Sequence, residues 1–133
     1  MTPTQFLRTL YLGDRACIGF VVDSWRARVE LIIDRISRIR SVSDGWNFDS
    51  TGDIENGRLV FEKVTSLSVR PAGPLPNDLI LGIDSEPVGD NHRFTIKIAS
   101  VDDHGNSTEV TMDILAAGVF LLDPSSPEVE IRT

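Results

Sequence analysis

The feature that most constrains the fold is a pair of alternating stretches, "RFTIKIAS" and "STEVTMDIL", joined by the polar segment "VDDHGN". Alternation at every second residue is the period of a β-strand with one buried face, because successive side chains point to opposite faces. The apolar residues share one face of each strand: Phe94, Ile96, Ile98, Val110, Met112 and Ile114. We therefore predict an antiparallel hairpin whose two strands contribute the same face to a core.

The segment that joins these strands contains residue types that also serve as metal ligands or acid–base groups, among them Asp102, Asp103 and His104. Asp, Gly and Asn are equally the residues that a tight hairpin connection needs, because they tolerate positive φ and bond their own backbone. A zinc or catalytic site would hold His104 against partners on other strands. We predict instead an exposed turn over residues 102–106, with neither metal nor catalysis.

Length and composition indicate a single domain. The chain has 133 residues, of which 41% are hydrophobic and 25% charged, enough for one core but not for two. The opening run "PTQFLRTLYLG" predicts a short helix that is capped by Thr2 or Thr4 and ended by Gly13. Most later runs are short and strand-like, with Gly, Pro or Asp between them. We predict that residues 1–133 form one mainly β domain: an antiparallel β-sandwich or open barrel with a short N-terminal helix.

The segment "WRARVELIIDRISRI", residues 25–39, fits two structures. Its apolar residues recur at spacings of three and four, as in a helix, but Val29, Leu31 and Ile33 also alternate as in a strand. Because β-branched side chains lose rotamer freedom in helices, the abundance of Val and Ile favours the strand. We predict a strand with a bend near Ser37, and we expect Trp25 at the core or its edge.

Charge is unevenly distributed along this acidic chain, whose formal net charge is −7. An acidic surface repels nucleic acid and anionic membranes, and it speeds association with basic proteins. We therefore expect a protein partner and neither nucleic acid nor membrane. The run "NFDSTGDIENG" reads as a polar loop with few basic neighbours, which makes Asp49, Asp53 and Glu55 the predicted partner-binding residues.

No run of residues carries a recognisable catalytic or cofactor signature. Cys17 lies among apolar residues, which is typical of a small core side chain. An EF-hand fails at its twelfth position, where Arg58 replaces the required glutamate; a looser calcium site at Asp49, Asp53 and Glu55 is less favoured than a solvated loop. We predict a non-enzymatic protein without catalytic residues, cofactor or metal. One cysteine and the lack of a signal-peptide pattern predict a cytoplasmic location.

Two stretches, "GRLVFEKVTSLSVRPAGPLPNDLI" and "DSWRARVELIIDRISRIRS", resemble small bacterial families of unknown function that are built from short strands. Some such families are encoded beside polymorphic or contact-dependent toxins and look like immunity proteins. The resemblance lies in a pattern of strands and turns, so it transfers no functional residue. It implies a single-domain, non-enzymatic protein that binds another protein.

Charge and resemblance together favour a cytoplasmic immunity protein that neutralises a basic toxin domain through an acidic face. In that hypothesis carboxylates pair with the basic residues that the toxin uses on its substrate. One alternative is a structural or assembly subunit that oligomerises through its sheet edges. Another is an enzyme or carrier with a small-molecule pocket inside a β-barrel.

Overall fold

The structure, a computed structural model, describes residues 1–39 and 48–133, apart from the side chains of residues 48–51. These ranges contain the helix α1 (Pro3–Leu7). They also contain the strands β1 (Leu10–Tyr11), β2 (Cys17–Asp23), β3 (Arg28–Ile39), β4 (Phe48–Glu62), β5 (Ser66–Arg70), β6 (Ile80–Val88), β7 (Asn91–Val101), β8 (Ser107–Ala116), β9 (Gly118–Asp123) and β10 (Ser126–Ile131). The prediction of a mainly β chain with a short N-terminal helix is confirmed.

The strands form two antiparallel sheets. In the first sheet the order is β1-β3-β4-β9-β10, and β2 also pairs with β3. Since β4 occupies the other side of β3, β1 and β2 must share one edge of β3, with β1 beside its end and β2 beside its start. In the second sheet the order is β5-β8-β7-β6. The sheets do not close, which confirms the predicted antiparallel sandwich or open barrel.

The core lies between the sheets because alternate residues of each strand face inward. Phe61 of β4 and Phe94 of β7 meet there, with ring centroids 5.0 Å apart. The six apolar residues predicted to share a face in β7 and β8 are all fully buried in this core. Cys17 is also buried there, as predicted.

The N-terminal helix is shorter than its sequence predicted. Thr2 caps it as expected: its hydroxyl accepts a hydrogen bond from the Gln5 N–H, and the Gln5 side chain accepts one from the Thr2 N–H. The prediction that the helix continues to Gly13 is wrong, because β1 leaves the helix to pair with β3. Among the described residues, no helix is long and apolar enough to cross a membrane.

The ambiguous segment at residues 25–39 is confirmed as a strand from Arg28 onward. Its pairing with β4 changes register between Ile36 and Arg38, which is where the bend at Ser37 was predicted. Upstream residues 24–27 form the turn of the β2–β3 hairpin, closed by the pair Asp23–Arg28.

Trp25 corrects the expectation of a core tryptophan, because it stands at the tip of this turn and is 96% exposed. The turn is held by backbone geometry: Ala27 has φ 53°, its N–H bonds the Ser24 carbonyl, and the Arg26 N–H bonds Asp23 Oδ1. The Trp25 side chain, at the tip of this turn, is therefore exposed to solvent. The second tryptophan, Trp46, lies outside the described residues.

A further prediction about strands is wrong. From Phe48 onward the run "NFDSTGDIENG" is not a loop, because β4 extends through it and pairs with β3. Strand β9 ends at Asp123, directly before Pro124, and after a turn β10 pairs back onto β9. The pair Asp44-Gly45, which is typical of a tight turn, lies outside the described residues.

The hairpin between β7 and β8 is confirmed. Val101 pairs with Ser107, and Asp102 Oδ1 accepts hydrogen bonds from the N–H groups of His104 and Asn106, both at 2.9 Å. Gly105 adopts φ 81°, the left-handed conformation that the turn requires. The His104 side chain is exposed at the tip.

Candidate protein-binding surface

The three predicted partner-binding carboxylates lie along β4 and not on a projecting loop. Asp49 pairs through its backbone with Arg38, and its side chain is outside the described residues. The Asp53 side chain is only 13% exposed, whereas that of Glu55 is 77% exposed. Arg35 lies 3.9 Å from the first and 4.0 Å from the second. The expectation of few basic neighbours is therefore wrong for these two, while their role in binding stays a prediction.

Arginines pair with carboxylates along the strands of both sheets. The shorter pairs are Arg58–Glu30 at 3.1 Å, Arg70–Asp113 at 2.6 Å, Arg93–Glu86 at 3.0 Å and Arg132–Glu62 at 2.8 Å. Each exposed pair adds little stability, typically about 0–1 kcal/mol. Their larger consequence is that each pair neutralises charge locally. Much of the net negative charge therefore lies on carboxylates in turns and at other positions without an arginine partner.

One such place is a groove beside the β7–β8 turn, which we call the acidic groove. Its volume is about 400 Å³. It is lined by Pro74, Leu75, Asn77, Ser100, Val101, Asp102, Asp103, Asn106 and Thr108. Among the described residues, the lining includes two exposed aspartates and no lysine or arginine, and Leu75 contributes an exposed apolar side chain.

The proline-rich segment at residues 71–77 forms one wall of the acidic groove. Prolines lack the N–H that a strand ladder needs, so this segment crosses the end of the second sheet as an irregular chain. Asn77 fastens it to β7, because its amide accepts a hydrogen bond from the Val101 N–H and donates one to the Val101 carbonyl. The N–H of Asp78 adds a bond to the Ala99 carbonyl at 3.0 Å.

The two aspartates of the groove differ in what they do. Hydrogen bonds from the backbone N–H groups of Asn106 and His104 hold the pKa of Asp102 below its usual value, so its carboxylate serves mainly to shape the turn. Asp103 points into solvent, 3.7 Å from the imidazole of His104. The groove can therefore accept a lysine or arginine at Asp103 and an apolar contact at Leu75.

Other features of the described residues offer little chemistry. Burial raises the pKa of the Cys17 thiol and keeps it protonated, so it is a poor nucleophile. In the described ranges, no three His, Cys, Asp or Glu side chains are grouped as a metal ion would need.

Sequence reasoning missed the acidic groove although it identified one of its walls, the turn at residues 102–106, and interpreted that turn only as a connection between strands. The residue that joins this turn to the "PAGPLPND" segment is Asn77, because its side-chain amide hydrogen-bonds the backbone of Val101 at the end of β7. Such a contact between distant residues is visible only in the fold.

The chain belongs to a family of unknown function, DUF6258, whose model matches residues 1–133. Neither the curated proteins nor the solved structures contain a match to the chain.

Proposed function

We propose that this protein is a non-enzymatic protein-binding domain whose acidic groove receives a basic segment of a partner protein. The observation that supports the proposal is the lining of the groove: an exposed carboxylate at Asp103, an exposed leucine at Leu75, and no basic side chain. Carboxylates on the sheet strands, by contrast, are largely matched by arginines of the same chain. The groove therefore offers a basic partner a carboxylate, that of Asp103, which no arginine of the described residues neutralises.

A basic toxin domain is the partner to test first, because the middle of the sequence resembles bacterial immunity families. In this proposal the protein acts in the cytoplasm by occlusion, pairing its carboxylates with the basic residues that a toxin needs for its own substrate. Asp49, Asp53 and Glu55 stay predicted partner-binding residues in the same proposal. An assembly subunit that oligomerises through its sheet edges is the alternative function.

Exposed carboxylates in water act mainly by steering the approach of an oppositely charged partner. Their removal should slow association and leave dissociation less affected, and salt should have the same effect. Leu75 makes a short-range contact, so its replacement should speed dissociation instead. The two kinds of contribution are separable in one kinetic experiment.

The experiment measures association between the purified protein and the product of the neighbouring gene by surface plasmon resonance, at low and high salt. The test variant carries Asp103→Lys and Glu109→Lys, at the groove and beside it on β8. The matched control carries Asp90→Lys and Glu128→Lys, two exposed positions away from the groove that change net charge equally. We expect a several-fold slower association for the test variant at low salt and a smaller change for the control.

Equal slowing by test and control variants would show that only net charge matters and would remove the groove from the proposal. Absence of binding to the neighbouring gene product, together with no protection of cells that express it, would remove the immunity role. Circular dichroism of each variant checks that the fold is kept.

A further inference from the structure

Where the edge of the first sheet faces the edge of the second, beside the N-terminal helix, the surface holds another cavity, which we call the seam slot. Its volume is about 330 Å³. One side is formed by α1, β1 and the residues next to them, at Thr4, Leu7, Arg8, Leu10 and Leu12, and the other side by residues 83–85 of β6. Among the described residues, the slot and the acidic groove share none of their lining.

A junction between the two sheets lies next to the seam slot. The start of β2 bonds there to the chain that leads into β6: the Cys17 N–H donates to the Asp78 carbonyl at 2.9 Å, and the Ile80 N–H donates to the Arg15 carbonyl at 2.8 Å. Three residues further along β6, Ile83 borders the slot. Main-chain hydrogen bonds therefore fix β6 against the first sheet beside the slot.

The helix α1 is fixed against β6 as well. Phe6 is fully buried in the core, and the hydroxyl groups of Thr4 and Ser85 share a hydrogen bond of 2.6 Å. Arg8 follows Thr4 by four residues, about one helical turn, so the two side chains project from the same face of the helix. Arg8 is therefore held at the slot, beside the contact between α1 and β6.

The inside of the seam slot is aliphatic. Leu10 is buried, and Leu7, Leu12 and Ile83 are partly buried and pack against the core. Their remaining surfaces line the slot, so a ligand that covers them removes apolar surface from water. None of the described lining residues is aromatic, and the apolar contact that the slot offers is therefore aliphatic.

Two charged side chains stand at the rim of the slot. Arg8 and Asp84 are both exposed, and within the described ranges neither of them forms an ion pair. Arginines along the strands, such as Arg58 and Arg70, are by contrast paired with carboxylates. The slot thus offers a ligand one cation and one anion that no described side chain neutralises.

Main-chain groups of β6 add positions for hydrogen bonds. In an antiparallel pair, alternate residues of each strand direct their N–H and C=O groups away from the partner strand. Pro87, which stands opposite His92 of β7 and has no N–H, occupies such a position. Ile83 and Ser85 have the same parity, so their main-chain groups also point away from β7, on the side of β6 that borders the slot.

We propose that the seam slot binds a free aliphatic α-amino acid. Its carboxylate pairs with Arg8, its ammonium group pairs with Asp84, and its side chain covers the leucines of the slot. Charge selects this class of ligand, because a simple carboxylic acid would leave Asp84 unpaired and a simple amine would leave Arg8 unpaired. Size agrees, since small-molecule sites typically enclose about 300–1,000 Å³ and the slot lies near the low end of that range.

Titration of the isotope-labelled full chain with L-leucine, followed by NMR spectroscopy of the backbone amide groups, tests the proposal. We expect saturable chemical-shift changes at residues 7–12 and 83–85. L-isoleucine and L-valine should shift the same residues, and L-glutamate should shift none of them, because its second carboxylate would enter an aliphatic slot. Absence of shifts with all three aliphatic amino acids at millimolar concentration, or shifts that lie elsewhere in the chain, would overturn the proposal.

Two charge variants and two leucine analogues test the assigned contacts. Arg8→Gln should weaken binding of L-leucine and N-acetyl-L-leucine several-fold but not that of L-leucinamide, which lacks the carboxylate. Asp84→Asn should weaken binding of L-leucine and L-leucinamide but not that of N-acetyl-L-leucine, which lacks the ammonium group. The matched controls Arg26→Gln and Asp90→Asn, at exposed positions outside the slot, should leave every affinity unchanged. Equal losses in test and control variants, or losses that do not depend on the ionic group of the ligand, would overturn the proposal.

Discussion

Phe120 gives the sharpest test of how this fold is stabilised, because it is fully buried although it lies on the outward face of the first sheet. It pairs with Val60 across β4 and β9, and neither side chain belongs to the core between the sheets. The guanidinium carbons of Arg132 and Arg28 lie 4.6 Å and 5.5 Å from the centre of its ring. The cover of this aromatic side chain therefore consists of arginine side chains.

We predict that Phe120→Ala lowers the free energy of unfolding by about 3 kcal/mol, near the low end for a buried phenylalanine because the flexible cover can partly collapse. Arg132→Ala should cost less, and the double variant should cost about 0.5–2 kcal/mol less than the sum of the two single changes, the range of cation–π contacts. Glu62 is part of this cluster, since it accepts two hydrogen bonds from Arg132.

Urea unfolding followed by circular dichroism measures these differences, with the slope of the transition checked for each variant. Phe94→Ala serves as the control in the core between the sheets, because none of the described arginines covers this ring. A loss below about 1 kcal/mol for Phe120→Ala, within the range of ordinary surface changes, would refute the reasoning that arginines bury this ring. Strict additivity of the two single changes would refute the direct contact.

Three further predictions concern charge and the β7–β8 turn. Hydrogen bonds from Arg132 hold the pKa of Glu62 below its usual value. The stabilisation by the Glu62 carboxylate is therefore complete above the pKa of the unfolded state and is lost as pH falls through the lower pKa of the folded state. Glu62→Gln should make the free energy of unfolding less dependent on pH on the acid side. His104→Ala should change stability by less than about 0.5 kcal/mol, and elemental analysis should find no metal whose binding depends on this histidine. Changing Asp49, Asp53 and Glu55 to lysine should slow association with a basic partner several-fold at low salt. An association rate that changes neither with salt nor with these substitutions would contradict this prediction.

Local sequence patterns predicted the strands well where one face of the strand is buried and the other is exposed to solvent. β7 and β8 are found where their alternation placed them, and the preference of β-branched residues for strands decided β3 correctly. Polar strands were missed because they lack this alternation of apolar and polar residues: β10 and the first half of β4 are rich in charged and turn-forming residues. Their strand conformation comes from pairing with neighbours, which a local pattern does not contain.

The candidate site likewise combines features that the sequence predicted with features that only the fold shows. The sequence identified the turn at residues 102–106 and the surplus of acids, but it placed the partner surface on residues 49–55. Only the fold could show that Arg35 lies beside two of those carboxylates and that Asn77 joins a proline-rich segment to the turn.

By itself the sequence determined the fold class, the short capped helix, the buried cysteine and the central hairpin, because each depends on the chemistry of adjacent residues. The tertiary structure decided which carboxylates are paired with arginines and how Phe120 is covered. These outcomes depend on side chains that are far apart in the chain, such as Arg28 and Arg132 around one ring. Trp25 illustrates the difference: its size favours burial in any local interpretation, but a four-residue turn leaves it in solvent.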